Sequence, residues 1–291
     1  MGNSILGRVM HITDNLIHST LRLECILHNG SSSVGTAFLF LFDGPRENER
    51  IPVLVTNKHV INNASIGKFI FTNSDKNNQP IYGDHIPFEI KNKFEDYWLK
   101  HPDTNVDLCI MPIGALLNDC ETQLGKIPSI KGFSENELIN KSESEQLTAF
   151  EEVFMIGYPN ALWDATNNLP IIRRGFTATH PHLNYNGNKE FLVDMACFPG
   201  SSGSPIFQYI SGMKVDKGGN VNLFGGSQIK LLGVLYAGPM FGVDGDIQVR
   251  NIPTSTIPIA HSKIPMNLGV VIKIEKLLEM KALLYKEYNI R

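Results

Sequence analysis

Between residues 20 and 75 the chain falls into short apolar or alternating runs, Leu21–Leu27, Thr36–Phe42, Ile51–Val55 and Lys68–Thr72, each closed by Gly, Asn, Asp or Pro. Runs this short with a two-residue side-chain period suit pleated strands, and their dense repetition points to an all-β barrel or sandwich. Leu23–Leu27, then Gly30-Ser31-Ser32-Ser33, then Gly35–Phe40 reads as a first hairpin. Gly212–Gly226, with Gly218-Gly219 and Gly225-Gly226, reads as the tip of a longer one. Residues 114–150 differ: Glu and Ser accumulate in Ser134–Glu137 and Lys141–Glu145, as in a solvated connection with short helical pieces. From Ile272 onward, Ile274, Leu277, Leu278, Leu283 and Leu284 mostly follow helical spacing with Lys and Glu between them, which predicts one amphipathic C-terminal helix.

The chemistry is concentrated in Phe198-Pro199-Gly200-Ser201-Ser202-Gly203-Ser204-Pro205, a tight loop with the Ser202 hydroxyl at its apex. Attack by Ser202 on a carbonyl places negative charge on the carbonyl oxygen. A glycine two residues upstream lets the N–H groups of Gly200 and Ser202 converge on that charge as an oxyanion hole. A serine nucleophile needs a base, and a histidine base needs a carboxylate to fix its tautomer. His59 ends the apolar run Val53–Thr56 at a polar break, and Asp107 heads the apolar run Leu108–Met111, where a partly buried carboxylate needs a partner. The order His59, Asp107, Ser202 has gaps of 48 (107 − 59) and 95 (202 − 107) residues, each member beside a strand-like run.

With these motifs the chain resembles the trypsin-like serine proteases. Thr56-Asn57-Lys58-His59-Val60 is similar to the family's histidine motif, Val106-Asp107-Leu108-Cys109-Ile110 to its aspartate motif, and Pro199–Pro205 to its serine loop. Val153–Pro159 is similar to the strand that opens the second barrel, and Gly233–Gly238 to the strand that pairs with substrate backbone. The resemblance spans roughly residues 20 to 275 and implies two six-stranded antiparallel β-barrels followed by a C-terminal helix. The expected limits are 20–125 for the first barrel, 126–150 for the connection, 151–271 for the second barrel and 272–291 for the helix. It implies a His59-Asp107-Ser202 triad acting through an acyl-enzyme, and a substrate pocket with Ala196 at its base and Tyr236, Ala237 and Gly238 in its walls. None of these four is charged, so a small or apolar side chain is expected at the cleaved position.

The departures are specific. Ser201 stands where digestive members carry an aspartate that pairs with a newly cut N-terminus, Val60 where they have a disulfide cysteine, and Ser204 where a second glycine is usual. In style the chain is closest to bacterial intracellular trypsin-like peptidases and HtrA-type catalytic domains. Some bacterial relatives with this compact architecture act in stress or antiphage responses, cutting a specific partner once triggered. The resemblance therefore implies a protein or peptide substrate and leaves room for an activating protein partner. The alternative from another class is a catalytically silent peptide-binding or scaffold module of the same fold. A second enzyme reading, Ser202 with Asp244 or Asp246 and His261 in α/β-hydrolase order, requires a strand-elbow-helix at the serine, whereas Ser204–Ile210 reads as a strand.

Composition bounds the rest. The 291 residues are 42% hydrophobic with a mean hydropathy of −0.08, enough for a substantial core and ordinary for a globular protein. A formal charge of −3 and no long Lys/Arg run give no attraction to nucleic acid. Cys25, Cys109, Cys120 and Cys197 show no CxxC spacing, which argues against zinc and suits free thiols in a reducing compartment. His180 and His182 flank Pro181 without nearby acidic or cysteine partners, so a metal role is not expected, nor is any cofactor. Met1–Met10 lacks the apolar stretch of a signal peptide, Leu6 stands where a myristoylation motif has Ser or Thr, and no segment approaches a membrane span. A cytoplasmic location without membrane attachment is the expectation.

Overall fold

Alternation along the strands sets how the two halves of this protein meet, in a computed structural model that describes residues 11–238, 240–244 and 261–290. After a short helix α1 (Ile12–Leu16), the first half contributes β1 (Thr20–Leu27), β2 (Ser32–Asp43), β3 (Arg50–Thr56), the one-turn helix α2 (Lys58–Ile61), β4 (Ala64–Ser74) and β5 (Pro80–Ile90). The short β6 (Leu99–Lys100) precedes β7 (Cys109–Pro112) and α3 (Gly114–Asp119), and the connection adds β8 (Ile127–Pro128), β9 (Phe133–Ser134) and α4 (Lys141–Glu145). The second half holds β10 (Glu152–Gly157), β11 (Ile171–Thr177), β12 (Glu190–Asp194), β13 (Pro205–Val215), β14 (Val221–Ala237), the ribbon β15 (Met240–Asp244) and β16 (His261–Pro265), then β17 (Leu268–Lys273) and α5 (Glu275–Glu287).

The fold is all-β with a C-terminal helix, as expected for a chymotrypsin-like protein. The second half is a closed six-stranded barrel in the order β10-β11-β12-β17-β14-β13. The first half carries nine strands rather than six, in the order β5-β4-β1-β2-β3-β7-β6 with β8 on β4 and β9 on β2, and its pairings stay open. The extra strands β6, β8 and β9 are two residues long; β8 and β9 come from the segment that reads as a connection, and β6 from within the first half.

Three cores result. Leu39 and Leu54 point into the first barrel with Leu23, Phe69 and Phe71. Their neighbours Phe38, Phe40, Val53 and Val55 point the other way, into a seam shared with Phe207, Leu231 and Ile272 of the second half. The second barrel is filled by Val153, Met155, Phe191, Val193 and Ile206. Both faces of β2 and β3 are thus buried, which explains their nearly unbroken apolar sequence.

The C-terminal helix begins at Glu275 rather than residue 272, because Val270, Val271 and Ile272 are β-branched and pair in β17 with β12 and β14. Leu277, Met280 and Leu284 lie on one helical face and are fully buried in the seam. At roughly 1.5–3 kcal/mol per buried side chain, that face anchors the helix across both halves. The acidic connection is less detached than its composition suggests. Ser134 with Glu137, and Asn140 with Glu143, form capping boxes, while Phe133, Leu138 and Leu147 are buried.

His18, just after α1, is 6% exposed, and burial, with Lys131 adding to it, pushes its pKa down from 6.5 to about 4. The unfolded chain takes up this proton below about pH 6.5 while the folded chain resists until about pH 4, so stability is lost as pH falls through that window. The expected loss is about 3 kcal/mol. Urea unfolding at pH 7 and pH 4.5 checks this: His18→Gln should remove most of the acid-side loss, and an equal loss in both proteins contradicts it.

Candidate active site

β3 ends at Thr56, and Asn57, extended at φ −88° and ψ 149°, opens α2. Val60 and Ile61 turn into the first barrel core, which leaves His59 facing out with 48% of its side chain exposed. His59 therefore stands in a helical turn after the strand rather than at a strand end. Pairing of Thr56 with Cys109 brings Asp107, two residues before β7, opposite it. Asp107 accepts from the His59 backbone N–H through Oδ1 (3.1 Å) and bonds Nδ1 of the ring through Oδ2 (2.5 Å). Asn57 Nδ2 donates to the Asp107 carbonyl at 2.7 Å, and Lys58 Nζ to the Asp103 carbonyl at 2.8 Å. Two donors from one residue hold the carboxylate in a single orientation. Burial lowers the Lys58 pKa, with Asp107 acting against it.

Ser202 comes from the second half. Its loop crosses the seam and is held by Thr36 of β2, whose N–H donates to the Ser202 carbonyl (2.8 Å) and whose hydroxyl donates to the Gly200 carbonyl (2.9 Å). Gly200 and Gly203 both have φ of +87°, and a Cβ at either would collide with backbone, the Tyr158 carbonyl for Gly200 and the Thr36 carbonyl for Gly203. The Gly-Ser-Ser-Gly spacing is thereby fixed by backbone conformation and by close approach of the first half. Ser204 is fully buried and packs where Gly157 of β10 leaves room. Gly157→Ala would drive a methyl into Ser204 Oγ and should destabilise by about 1–3 kcal/mol in denaturant unfolding, and an unchanged midpoint contradicts this.

The Gly200 and Ser202 N–H groups bond to no described acceptor. The Pro199 carbonyl accepts from Asn160 N–H at 2.6 Å, and in a planar trans peptide the Gly200 N–H then points the opposite way, out of the loop. Asn160 and Ala161 adopt left-handed conformations (φ 48° and 60°), a strained turn that presents the Asn160 N–H to the loop. Ser202 Oγ donates at 3.4 Å to the Tyr236 carbonyl, and no hydrogen bond joins it to His59 among the described residues. His59 and Asp107 are thus directly paired, with Ser202 across the seam.

A cavity of about 260 Å³ opens beside Ser202. Tyr236, Ala237 and Gly238 line it, as do Cys197, Phe198 and Leu235. Ala196 is absent from the lining: its carbonyl turns away to Arg173 Nη1 (2.9 Å), and Cys197 takes the wall position instead. Tyr236 also donates its hydroxyl to Glu190 Oε1 (2.9 Å), and burial followed by that carboxylate raises its pKa. A larger cavity of about 680 Å³ behind the second barrel is lined by neither Ser202, His59 nor Asp107.

Among the described residues no cluster of three or more His, Cys, Asp or Glu is placed to hold a metal. His182 Nδ1 is bonded to Ser144 Oγ at 3.1 Å. All four cysteines are free and buried, and no described helix is long and apolar enough to cross a membrane. Asp246 lies outside the described residues; Asp244 and His261 pair as backbone partners in the ribbon, within an antiparallel fold unlike an α/β-hydrolase. Sequence reasoning missed Thr36, Asn160 and Arg173. Thr36 in Gly35-Thr36-Ala37 reads only as the start of a strand.

A β protein of two packed halves, with a paired His and Asp in the first and a glycine-flanked serine loop in the second, belongs by its fold to the chymotrypsin-like class. The chain is a member of the trypsin-like peptidase domain family, whose profile matches residues 35–213, more than half of its length. Among solved structures it is similar to the HtrA-type protease AlgW with tripeptide at 14% identity and a TM-score of 0.47, covering 94% of this chain and 63% of that one. It is also similar to the active form of the Rv3671c protease from M. tuberculosis at 13% identity and a TM-score of 0.47, covering 93% and 82%. The serine endoprotease from Yersinia pestis matches at 14% identity and a TM-score of 0.46, covering 96% and 68%. The chain spans under two thirds of the length of AlgW. No curated protein matches it significantly in sequence.

Proposed function

We propose that this chain is a serine endopeptidase that hydrolyses peptide bonds of a protein substrate through Ser202, His59 and Asp107. The observation that carries the reading is the direct His59–Asp107 pair in a protein whose Thr36 also holds the loop in which Ser202 and two unengaged N–H groups, of Gly200 and Ser202, are presented together. In the first step Ser202 Oγ exchanges the Tyr236 carbonyl for His59 Nε2. The ring takes the proton as Oγ adds to the substrate carbonyl. Asp107, bonded to Nδ1, stabilises the imidazolium, and the Gly200 and Ser202 N–H groups receive the oxyanion. His59 then protonates the leaving amine, and water enters by the same route to release the acyl group.

The cavity of about 260 Å³ carries no ionised side chain, so a small or apolar residue fits at the cleaved position. Cleavage mainly after Arg or Lys in a peptide library contradicts that preference. By the resemblance of its motifs alone, the reading extends to a cytoplasmic setting and a triggered role in a bacterial stress or antiphage response. A second reading, a silent peptide-binding module, is favoured by one feature, the contact of Ser202 Oγ with Tyr236 rather than His59.

Fluorophosphonate labelling of the purified protein separates the two. The endopeptidase reading expects labelling of wild type and none of Ser202→Ala or His59→Ala. Absence of labelling in a folded wild type, with and without candidate protein substrates, overturns it in favour of the binding module.

A further inference from the structure

On β11 the outward residues are Ile172, Arg174 and Phe176, while Gly175 and Thr177 are buried. Arg173 shares their inward face, an unusual place for a guanidinium in a barrel otherwise filled by Met155, Met195 and Cys197. Its Nη1 donates to the Ala196 carbonyl at 2.9 Å and to Ser201 Oγ at 2.7 Å, while Nε and Nη2 are buried without partners. No described carboxylate forms an ion pair with it. A desolvated cation without an anion is costly, and burial pushes the Arg173 pKa down to about 10. What it gains is two charge-assisted hydrogen bonds, each stronger than one between neutral groups. Both go to the segment from Ala196 to Ser201, one to each end, and that segment carries Gly200 and leads directly into Ser202.

We propose that Arg173 is a positioning residue for the nucleophile loop: one guanidinium nitrogen inside the second barrel ties Ala196 to Ser201 and holds Gly200 and Ser202 in the geometry for attack. The proposal rests on the endopeptidase reading for its effect on chemistry, but the hold on the loop is a property of the fold and is measurable without activity. Because the cation comes from within the barrel wall, this anchorage does not depend on a terminus entering the site.

Cys197, next in sequence to Ala196 and 8% exposed, is a built-in reporter of loop order. Burial pushes its thiol up to about 11, with Arg173 acting to lower it. Removing the guanidinium should therefore make the thiol intrinsically less reactive, and any gain in alkylation reads exposure. Iodoacetamide alkylation followed by mass spectrometry should show Cys197 modified at least about tenfold faster in Arg173→Met, with buried Cys25, Cys109 and Cys120 unchanged as internal controls. Ser201→Ala, which removes one acceptor, should move Cys197 in the same direction by less, and Arg173→Lys should restore most of the protection. In the same samples, fluorophosphonate labelling should fall roughly 100-fold in Arg173→Met, with partial rescue by lysine. Unchanged Cys197 protection in Arg173→Met and Ser201→Ala overturns the proposal, as does equal exposure of all four cysteines, which marks general loosening. If wild type does not label at all, the endopeptidase reading fails, and the alkylation pattern still decides the role of Arg173 in the loop.

Discussion

Ser202→Ala should lower peptide hydrolysis by a factor on the order of 10⁶ and abolish fluorophosphonate labelling while leaving the fold intact. The size follows from losing the nucleophile itself: no covalent intermediate forms, and only the oxyanion donors and substrate binding remain to accelerate attack by water. The fold should be indifferent because Ser202 Oγ makes a single long contact, 3.4 Å to the Tyr236 carbonyl. The loop is held by other atoms, the carbonyls of Gly200 and Ser202 on Thr36 and the glycine conformations on either side. The check is turnover of a peptide library together with the thermal midpoint. Residual hydrolysis above about one thousandth of wild type in an unshifted protein would mean that another residue performs the attack.

Asp107→Asn should cost about 10⁴-fold in kcat, for a reason visible in the hydrogen bonds. Oδ1 accepts the His59 backbone N–H, so the amide oxygen of an asparagine must stay on that side. Its NH₂ then faces Nδ1, which must turn from donor to acceptor, and the ring proton moves to Nε2. The nitrogen that should receive the Ser202 proton is already protonated. Volume and packing hardly change, so unfolding should shift by no more than about 1 kcal/mol, the scale of one hydrogen bond. Kinetics of the variant against pH, with denaturant unfolding in parallel, test both halves. A loss under tenfold contradicts the orienting role of Asp107, and a loss matched by unfolding marks a structural effect.

The strands were legible in the sequence wherever apolar period and turn chemistry agreed, as in the hairpin of β1 and β2 and in the run from Pro205 into β13. His59 reads as a strand end because Val60 and Ile61 prolong the apolar run; only the polar Asn57 marks the switch to a helical turn. β6, β8 and β9 are illegible since two residues carry no period; β8 and β9 exist through pairing with β4 and β2, distant in sequence, and β6 through pairing with the neighbouring β7. Arg173 was hidden for a different reason. Ile171-Ile172-Arg173-Arg174 gives no hint which arginine turns inward, and the small inward pair Gly175 and Thr177 was the one available cue. Among the pocket residues, Tyr236, Ala237 and Gly238 fall along one strand end and its exit, whereas the direction taken by Ala196 depends on its backbone carbonyl, about which a side-chain pattern says nothing.

His59 and Asp107 are bonded within the first half, and Ser202 is carried by the second; Thr36 and the Phe-rich seam are what span the gap. The two halves therefore behave as the jaws of a caliper whose opening is read by a proton. Proton transfer needs heavy atoms within about 2.6–3.2 Å, so a slip of about one ångström between jaws decides whether Oγ can meet the imidazole while every strand ladder stays unbroken. Catalytic output and thermal stability are in this way set by different coordinates of the same molecule, and a ligand that shifts the seam can change the first without disturbing the second.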